Sequence, residues 1–345
     1  MGKEIVMKKL LKVLVVFLLF SSVITSSALA SSTRTVTDMT GQKVKIPKSV
    51  KKVADLWHAN NQVVLLLGGQ KKLVATTPLV KKQHWFTIVY PKITKVTAPL
   101  AGSQIQVEEL IKTHPDVVIT ADPAQAKTAK QAKLPTVNAM YTDFAGLKKS
   151  VMLTATILGG DAPKIGRQYN RELTQNINLV ERQVKDRKST PTVLHIVNSA
   201  DLTKVDGQKT IVNEWIKIAG GRNAITENGN QISVTPEELI KANPDVIIVG
   251  SSTTAHALKV LQANKQLRQL KAVREKKVYG NPQGTFPWDR YSAEETLQVL
   301  WAAKILHPQE MKDINMVSEV QNFYQKYYHY HLTTNQAQRI LASEN

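Results

Sequence analysis

The sequence predicts an α/β protein built as two similar lobes joined by a single long helix, with a cleft between them. Three observations carry that prediction. The stretch "EELIKTHPDVVIT" (108–120) returns as "EELIKANPDVIIV" (237–249), 129 residues later, with only four positions changed. Apolar strand-like runs alternate with helical runs on both sides of residues 161–188, as in parallel sheets covered by helices. Between the two copies, Ile165, Tyr169, Leu173, Ile177, Val180 and Val184 form one apolar stripe at helical spacing. The implied architecture is two Rossmann-like lobes, 31–160 and 189–345, with an interlobe helix at 161–188. Clefts between lobes are where small ligands bind.

The elements follow in order. Residues 1–30 read as a secretory signal: basic "MGKEIVMKKLLK", apolar "VLVVFLLF", then Ala28 and Ala30 before Ser31. The apolar run is shorter than the roughly 20 residues of a membrane span. "TVTDMTGQKVKIP" (35–47) alternates as a hairpin does. "VADL", "KLVATT", "DVVIT" and "PTVNAM" read as strands, and "NNQVVLLLGG" and "QVEELIKTH" as helices. Asp161 and Pro163 suit the start of the long helix, and "STP" (189–191) ends it. Then "TVLHIVNS" is a strand, "TIVNEWIKIAGG" a helix, "TPEELIKAN" and "PDVIIVGSS" the repeated unit, and "KKVYGNP" a strand. "SAEETLQVLWAAKIL" (292–306) reads as an amphipathic helix, and "MVSEVQNFYQKYYHYHL" as helical.

Composition narrows the function. Of 345 residues, 42% are hydrophobic and 21% charged, as in globular proteins. The formal charge is +19; Lys3, Lys8, Lys9 and Lys12 against Glu4 account for +3, leaving +16 without the signal. Lysines are scattered and no nucleic-acid-binding signature is present, so no nucleic-acid partner is expected. Cysteine is absent, which removes disulfides, thiolate metal sites and a catalytic thiol. No phosphate loop, GxSxG, HExxH or dinucleotide fingerprint occurs, so the reading is a binder and not an enzyme.

The order of "TVTDMTGQKVKIPKSVKKVADL", "VEELIKTHPDVVIT", the interlobe helix, "DGQKTIVNEWIKIAGGRNA", "PEELIKANPDVIIV" and "WDRYSAEETLQVLWAAKIL" resembles the class III substrate-binding proteins of ABC importers. That group carries ferric siderophores, haem, cobalamin and related metal chelates. The resemblance covers essentially the whole mature chain. It implies an exported, monomeric protein, peripheral to the membrane, that hands its ligand to an ABC permease and its ATPase. It also implies that a glutamate on each lobe, Glu108 and Glu237, docks on permease arginines, with Glu109 and Glu238 as neighbours able to substitute. Gram-positive members usually carry a lipobox cysteine, and "SALASS" has serine there. The expected location is therefore periplasmic, or extracellular at the cell surface.

Ligands in open α/β sheets sit at the C-terminal ends of strands. The candidate contacts are Trp57 and His58 in "WHANN", His84 and Trp85 in "KKQHWFTIVYP", Tyr141 after "PTVNAM", Asn198 after "TVLHIVNS", and Trp288 and Arg290 in "NPQGTFPWDRY". His58 is the candidate metal-completing imidazole. Arg290 is the candidate partner for carboxylate or catecholate oxygens. No intrinsic cofactor is expected, since the metal arrives inside the ligand. A ferric siderophore-like chelate satisfies both groups. Nickel or cobalt complexes, haem, cobalamin and molybdate-type oxyanions stay open, as does a chelatase-like or receptor module on the same fold.

Overall fold

The computed structural model describes residues 32–344. The signal assigned to residues 1–30 lies outside the described residues. The predicted hairpin forms from β1 (Thr33–Thr37) and β2 (Lys43–Pro47), paired antiparallel. Asp38 holds its turn, accepting from the Thr40 and Gln42 amides at 2.9 and 3.0 Å.

The first lobe then alternates strand and helix. β3 (Val53–Asp55) leads into α1 (His58–Leu66), and β4 (Leu73–Ala75) into α2 (His84–Val89). A short hairpin, β5 (Leu100–Ala101) and β6 (Gln104–Ile105), precedes α3 (Val107–Lys112). β7 (Val117–Thr120) is followed by α4 (Pro123–Gln131), and β8 (Thr136–Asn138) by α5 (Phe144–Leu158). The sheet is parallel in the order β4-β3-β7-β8. β3 and β7 are buried along their whole lengths, as strands covered on both faces must be.

The long helix α6 runs from Ala162 to Gln183, 22 residues, or about 33 Å at the helical rise. Pro163 sits in its first turn, but Asp161 makes no side-chain cap bond. Tyr169, Leu173, Val180 and Val184 of the predicted stripe are buried, and Ile165 and Ile177 pack partly against the core. Each fully buried aliphatic of the stripe contributes about 1.5–3 kcal/mol.

The second lobe contains β9 (Thr192–Asn198), β10 (Asp201–Val205), α7 (Ile211–Ile218), β11 (Arg222–Asn223) and β12 (Ile232–Ser233). It continues with α8 (Pro236–Ala242), β13 (Val246–Val249), α9 (Thr254–Ala263), α10 (Lys271–Arg274) and β14 (Val278–Gly280). Its sheet, β12-β10-β9-β13-β14, is parallel through β9, β13 and β14 but antiparallel at β10 and β12. The alternation of strands and helices predicted only the parallel part.

The repeated phrase has a physical reason. In both copies the helix is followed by a residue in the left-handed region, His114 (φ 48°) and Asn243 (φ 37°), then by Pro-Asp and a buried strand. In both copies the aspartate clamps the neighbouring strand. Asp116 accepts from the Lys51 and Lys52 amides at 2.6 and 2.9 Å, and Asp245 accepts from the Thr192 amide at 2.8 Å.

Three C-terminal helices close the fold: α11 (Glu295–Leu306), α12 (Met316–Phe323) and α13 (Thr334–Leu341), with a π-helical turn at Tyr324–Tyr328. α11 was expected to be amphipathic. It is buried on nearly every side because it lies against α6, α7 and α12. Residues near the C-terminus return to the first lobe. The Trp85 indole donates to the Glu344 carbonyl at 3.1 Å, and the Arg339 guanidinium lies 5.5 Å from the Trp85 ring. The Gln283 amide donates to the Ile340 carbonyl at 3.1 Å.

One buried carboxylate ties these parts together. Glu294 accepts from the Thr285 amide (3.1 Å), the Thr285 hydroxyl (2.6 Å), the Tyr328 hydroxyl (3.1 Å) and the Trp288 indole. Gln62 of α1 reaches this carboxylate through Thr285, and the Glu294 backbone amide through Ser292. The 283–292 loop is thereby fixed to both the first lobe and the C-terminal turn. Gly284 passes so close that an added Cβ would meet the Glu294 carboxylate.

Candidate functional site

A cavity of about 880 Å³ opens between the lobes. From the first lobe it is lined at the C-terminal ends of β3, β4, β7 and β8, by Trp57, His58, Thr77, Lys82, Gln125 and Met140 among others. The second lobe contributes Asn230, Gln231, Phe286, Arg290 and Tyr291. This is the position expected for ligands of open α/β sheets.

Trp57 and His58 are set by Asp55. Its buried carboxylate accepts from the Trp57 amide at 3.2 Å and from the Asn60 side chain at 2.9 Å. That turn starts α1 at His58, so His58 is the first helical residue and not part of a longer loop. Its ring lies 5.3 Å from Phe286 of the other lobe. Burial lowers the His58 pKa, which leaves the imidazole neutral and able to donate a lone pair. Trp57, Tyr141 and Tyr291 form an aromatic triangle across the lobes, with centroids 5.5, 5.8 and 5.6 Å apart. Tyr141 is almost fully buried behind Trp57, with its hydroxyl unpartnered.

Arg290 belongs to a buried charge network. Its Nη2 lies 2.8 Å from Asp206 Oδ2 and 3.4 Å from Asp289 Oδ2, while Nη1 has no hydrogen-bond partner. His195, in the middle of β9, stands between the same two carboxylates. Its Nδ1 is 2.8 Å from Asp206 Oδ2, and its Nε2 is 2.9 Å from Asp289 Oδ2. The second contact is an ion pair by distance and not an aligned hydrogen bond. Asp206 also accepts from the Gln231 amide at 2.9 Å. Burial acts against every charge here and the partners outweigh it. His195 is raised, Asp289 is lowered, and Asp206 is held at about 2 by His195 and Arg290.

Of the sequence candidates, Trp57, His58 and Arg290 meet on the cavity, with Tyr141 directly behind. The others are elsewhere. Trp288 is completely buried, its indole donating to Glu294, so it has no face to offer a planar ligand. His84 and Trp85 lie on α2, where Trp85 packs under the C-terminal residues. Asn198 caps the β9–β10 turn, accepting from the Ala200 and Asp201 amides at 2.9 and 3.2 Å. Sequence reasoning missed Lys82, Gln125, Gln231, Phe286, Tyr291, His195 and Asp206. Among the described residues, no group of three or more His, Cys, Asp and Glu side chains could hold a metal ion.

Glu108 and Glu237 are exposed in the first turns of α3 and α8. Glu237 accepts from the Gln266 side chain at 3.2 Å, Glu109 pairs with Lys112 at 2.7 Å, and Glu238 completes a capping box with Thr235. Among the described residues, no helix is long and apolar enough to cross a membrane.

Two lobes, one connecting helix and a mixed polar and aromatic cleft define a bilobed solute receptor. A family model for periplasmic binding proteins matches residues 53–284, and the chain belongs to that family. It is 26% identical over 348 residues to the molybdate-binding protein MolA of Haemophilus influenzae, covering 92% of this chain and 96% of MolA. It is 23% identical over 252 residues to YvrC of Bacillus subtilis, an uncharacterized ABC transporter substrate-binding lipoprotein, covering 71% of this chain and 77% of YvrC. A periplasmic solute binding protein from Veillonella parvula superposes with a TM-score of 0.78 at 26% identity, covering 90% of this chain and 97% of its own. The chain is thus the substrate-binding component of an ABC importer.

Proposed function

We propose that this protein captures a small anionic metal species in the interlobe cleft, a compact ferric chelate of the siderophore type first, and delivers it to a membrane permease. The observation that carries this reading is that the His58 imidazole and the Arg290 guanidinium line one cavity from opposite lobes. A neutral imidazole completes the coordination of a transition metal. A guanidinium and Lys82 suit the peripheral oxygens of an anionic chelate. The cavity of about 880 Å³ is in the range of small-molecule sites and much larger than a tetrahedral oxyanion. Similarity to MolA along nearly the whole chain favours a second reading, an oxyanion such as molybdate.

Tryptophan fluorescence of the protein is to be followed while ferric hydroxamate, ferric catecholate, haem, nickel–histidine and molybdate are added in turn. Saturable quenching by a ferric chelate, weakened by His58→Ala and Arg290→Gln and lost with Trp57→Phe, supports the first reading. Response to molybdate alone replaces it with the second.

A further inference from the structure

We propose that His195 is a positioning and specificity-determining residue of the cleft: as an imidazolium it offsets one of the two carboxylates facing Arg290, so that the cavity wall at the guanidinium does not repel an anionic ligand. This rests on the reading above that Arg290 receives negative charge.

Charge counting on the observed geometry leads there. Arg290 contacts Asp206 and Asp289 through Nη2. Two carboxylates against one guanidinium leave a net charge of −1 at the wall of the cavity, which repels an anion. His195 touches the same two carboxylates through both ring nitrogens, at 2.8 and 2.9 Å. A neutral imidazole has a single N–H, so one nitrogen would aim its lone pair at a carboxylate. Both contacts are attractive only when the ring is doubly protonated. The network of two cations and two anions is then neutral, and Arg290, which lines the cavity, no longer stands against an excess of negative charge. His195 is itself fully buried and does not reach the cavity. It therefore acts through Arg290.

The surroundings of His195 are well defined. Asp206 follows β10, Asp289 and Arg290 come from the 283–292 loop, and the Trp215 indole of α7 stands edge-on at 5.9 Å. Glu295, the first residue of α11, is near enough to Asp289 to feel its charge, and Tyr291 of the preceding loop lies beside Arg290. The low local dielectric makes the sign of this group matter more than it would at the surface.

The test has a ligand-free arm and a binding arm on the full chain. In ¹⁵N-histidine-labelled protein at neutral pH, the signal that disappears in His195→Asn should show both ring nitrogens protonated. A neutral tautomer overturns the proposal. In the binding arm, ferric catecholate and molybdate are the probes. His195→Asn should weaken binding by about tenfold or more, the scale of an unbalanced buried charge. Asp289→Asn alone should strengthen binding, and adding it to His195→Asn should restore affinity. A structural role predicts the reverse, each substitution weakening binding and the double variant being the weakest, and that result overturns the proposal. Asp289→Asn carries this arm by itself if His195→Asn fails to fold. If Arg290→Gln binds as the wild type does, or neither probe binds, the anionic-ligand reading fails and this inference with it. If Arg290→Gln weakens binding but Asp289→Asn gives no gain, the inference fails alone.

Discussion

Replacing Glu294 with alanine tests whether one buried carboxylate holds the ligand-bearing loop. The side chain accepts from the Thr285 amide and hydroxyl, the Tyr328 hydroxyl and the Trp288 indole, and it also hydrogen-bonds the Tyr324 hydroxyl. Three of these donors have a second acceptor nearby. The Thr285 amide has Tyr324 Oη at 3.0 Å, and the two hydroxyls have Gln62 Oε1 at 3.4 and 3.5 Å. Their loss costs about 0.5–1.5 kcal/mol each. The Trp288 N–H, buried among apolar groups, has no second acceptor and is stranded at about 1–3 kcal/mol. Burial raises the Glu294 pKa, so the lost bonds are offset by relief of that penalty. The net expectation is a loss of about 3–5 kcal/mol, the sum of those losses less the relieved burial penalty. Glu294→Gln keeps one acceptor oxygen and turns its amide nitrogen towards the indole, so it costs about 1–3 kcal/mol, one stranded donor. Guanidinium unfolding measures both. Because the loop also carries Arg290 and Tyr291, chelate affinity should fall in parallel. A Glu294→Ala variant within about 1 kcal/mol of wild type, the size of an ordinary surface change, refutes the reasoning.

Three further outcomes are expected. Glu295 is buried with Oε2 unpartnered, and burial lifts its pKa well above the ordinary 4.5. Stability is then lost as pH rises from 4.5 through the folded-state value, and Glu295→Gln should raise the melting temperature at neutral pH but not in acid. Asp206 is the opposite case: its pKa falls from 3.8 to about 2, so its stabilisation is present above 3.8 and lost as pH falls through about 2. Asp206→Asn should flatten that acid limb in pH-dependent unfolding. Glu108→Lys with Glu237→Lys should leave ligand affinity unchanged, since both side chains are exposed outside the cleft, yet abolish ligand uptake by cells carrying the cognate permease. Normal uptake would show that the permease reads another surface.

What the sequence revealed was local or repeated. The α6 stripe, the hairpin at 35–47 and the two Pro-Asp units are written in spacing and turn residues that act within a few positions. The site was only partly legible because its logic is long-range. Trp57, His58 and Arg290 could be found from their places after strands. Trp288 could not be told from a core tryptophan, because its indole partner Glu294 is held in place by Tyr328, which arrives from the distant π-helical turn. His195 carried one signal that went unread: a histidine in the apolar run "TVLHIV", where a polar side chain must find a buried partner. That partner, Asp206, lies in the "DGQKT" stretch quoted for the family resemblance, but spacing alone does not join the two. The α11 pattern misled for a related reason, since packing against three helices covers the face that sequence assigns to solvent.

The return of residues 339–344 to Trp85 bears on the order in which the protein can assemble. A polypeptide emerges from its N-terminus, so the first lobe's strands are all available long before the residues that cover Trp85 exist outside the ribosome. Until then, a large indole and its N–H wait for partners more than 250 positions downstream. Such long sequence separations slow the final closure. The first lobe is therefore the earlier to appear but cannot be the earlier to finish. A bulky fusion joined directly after residue 345 should act at this step, lowering the yield of folded protein more than its effect on the cleft would suggest.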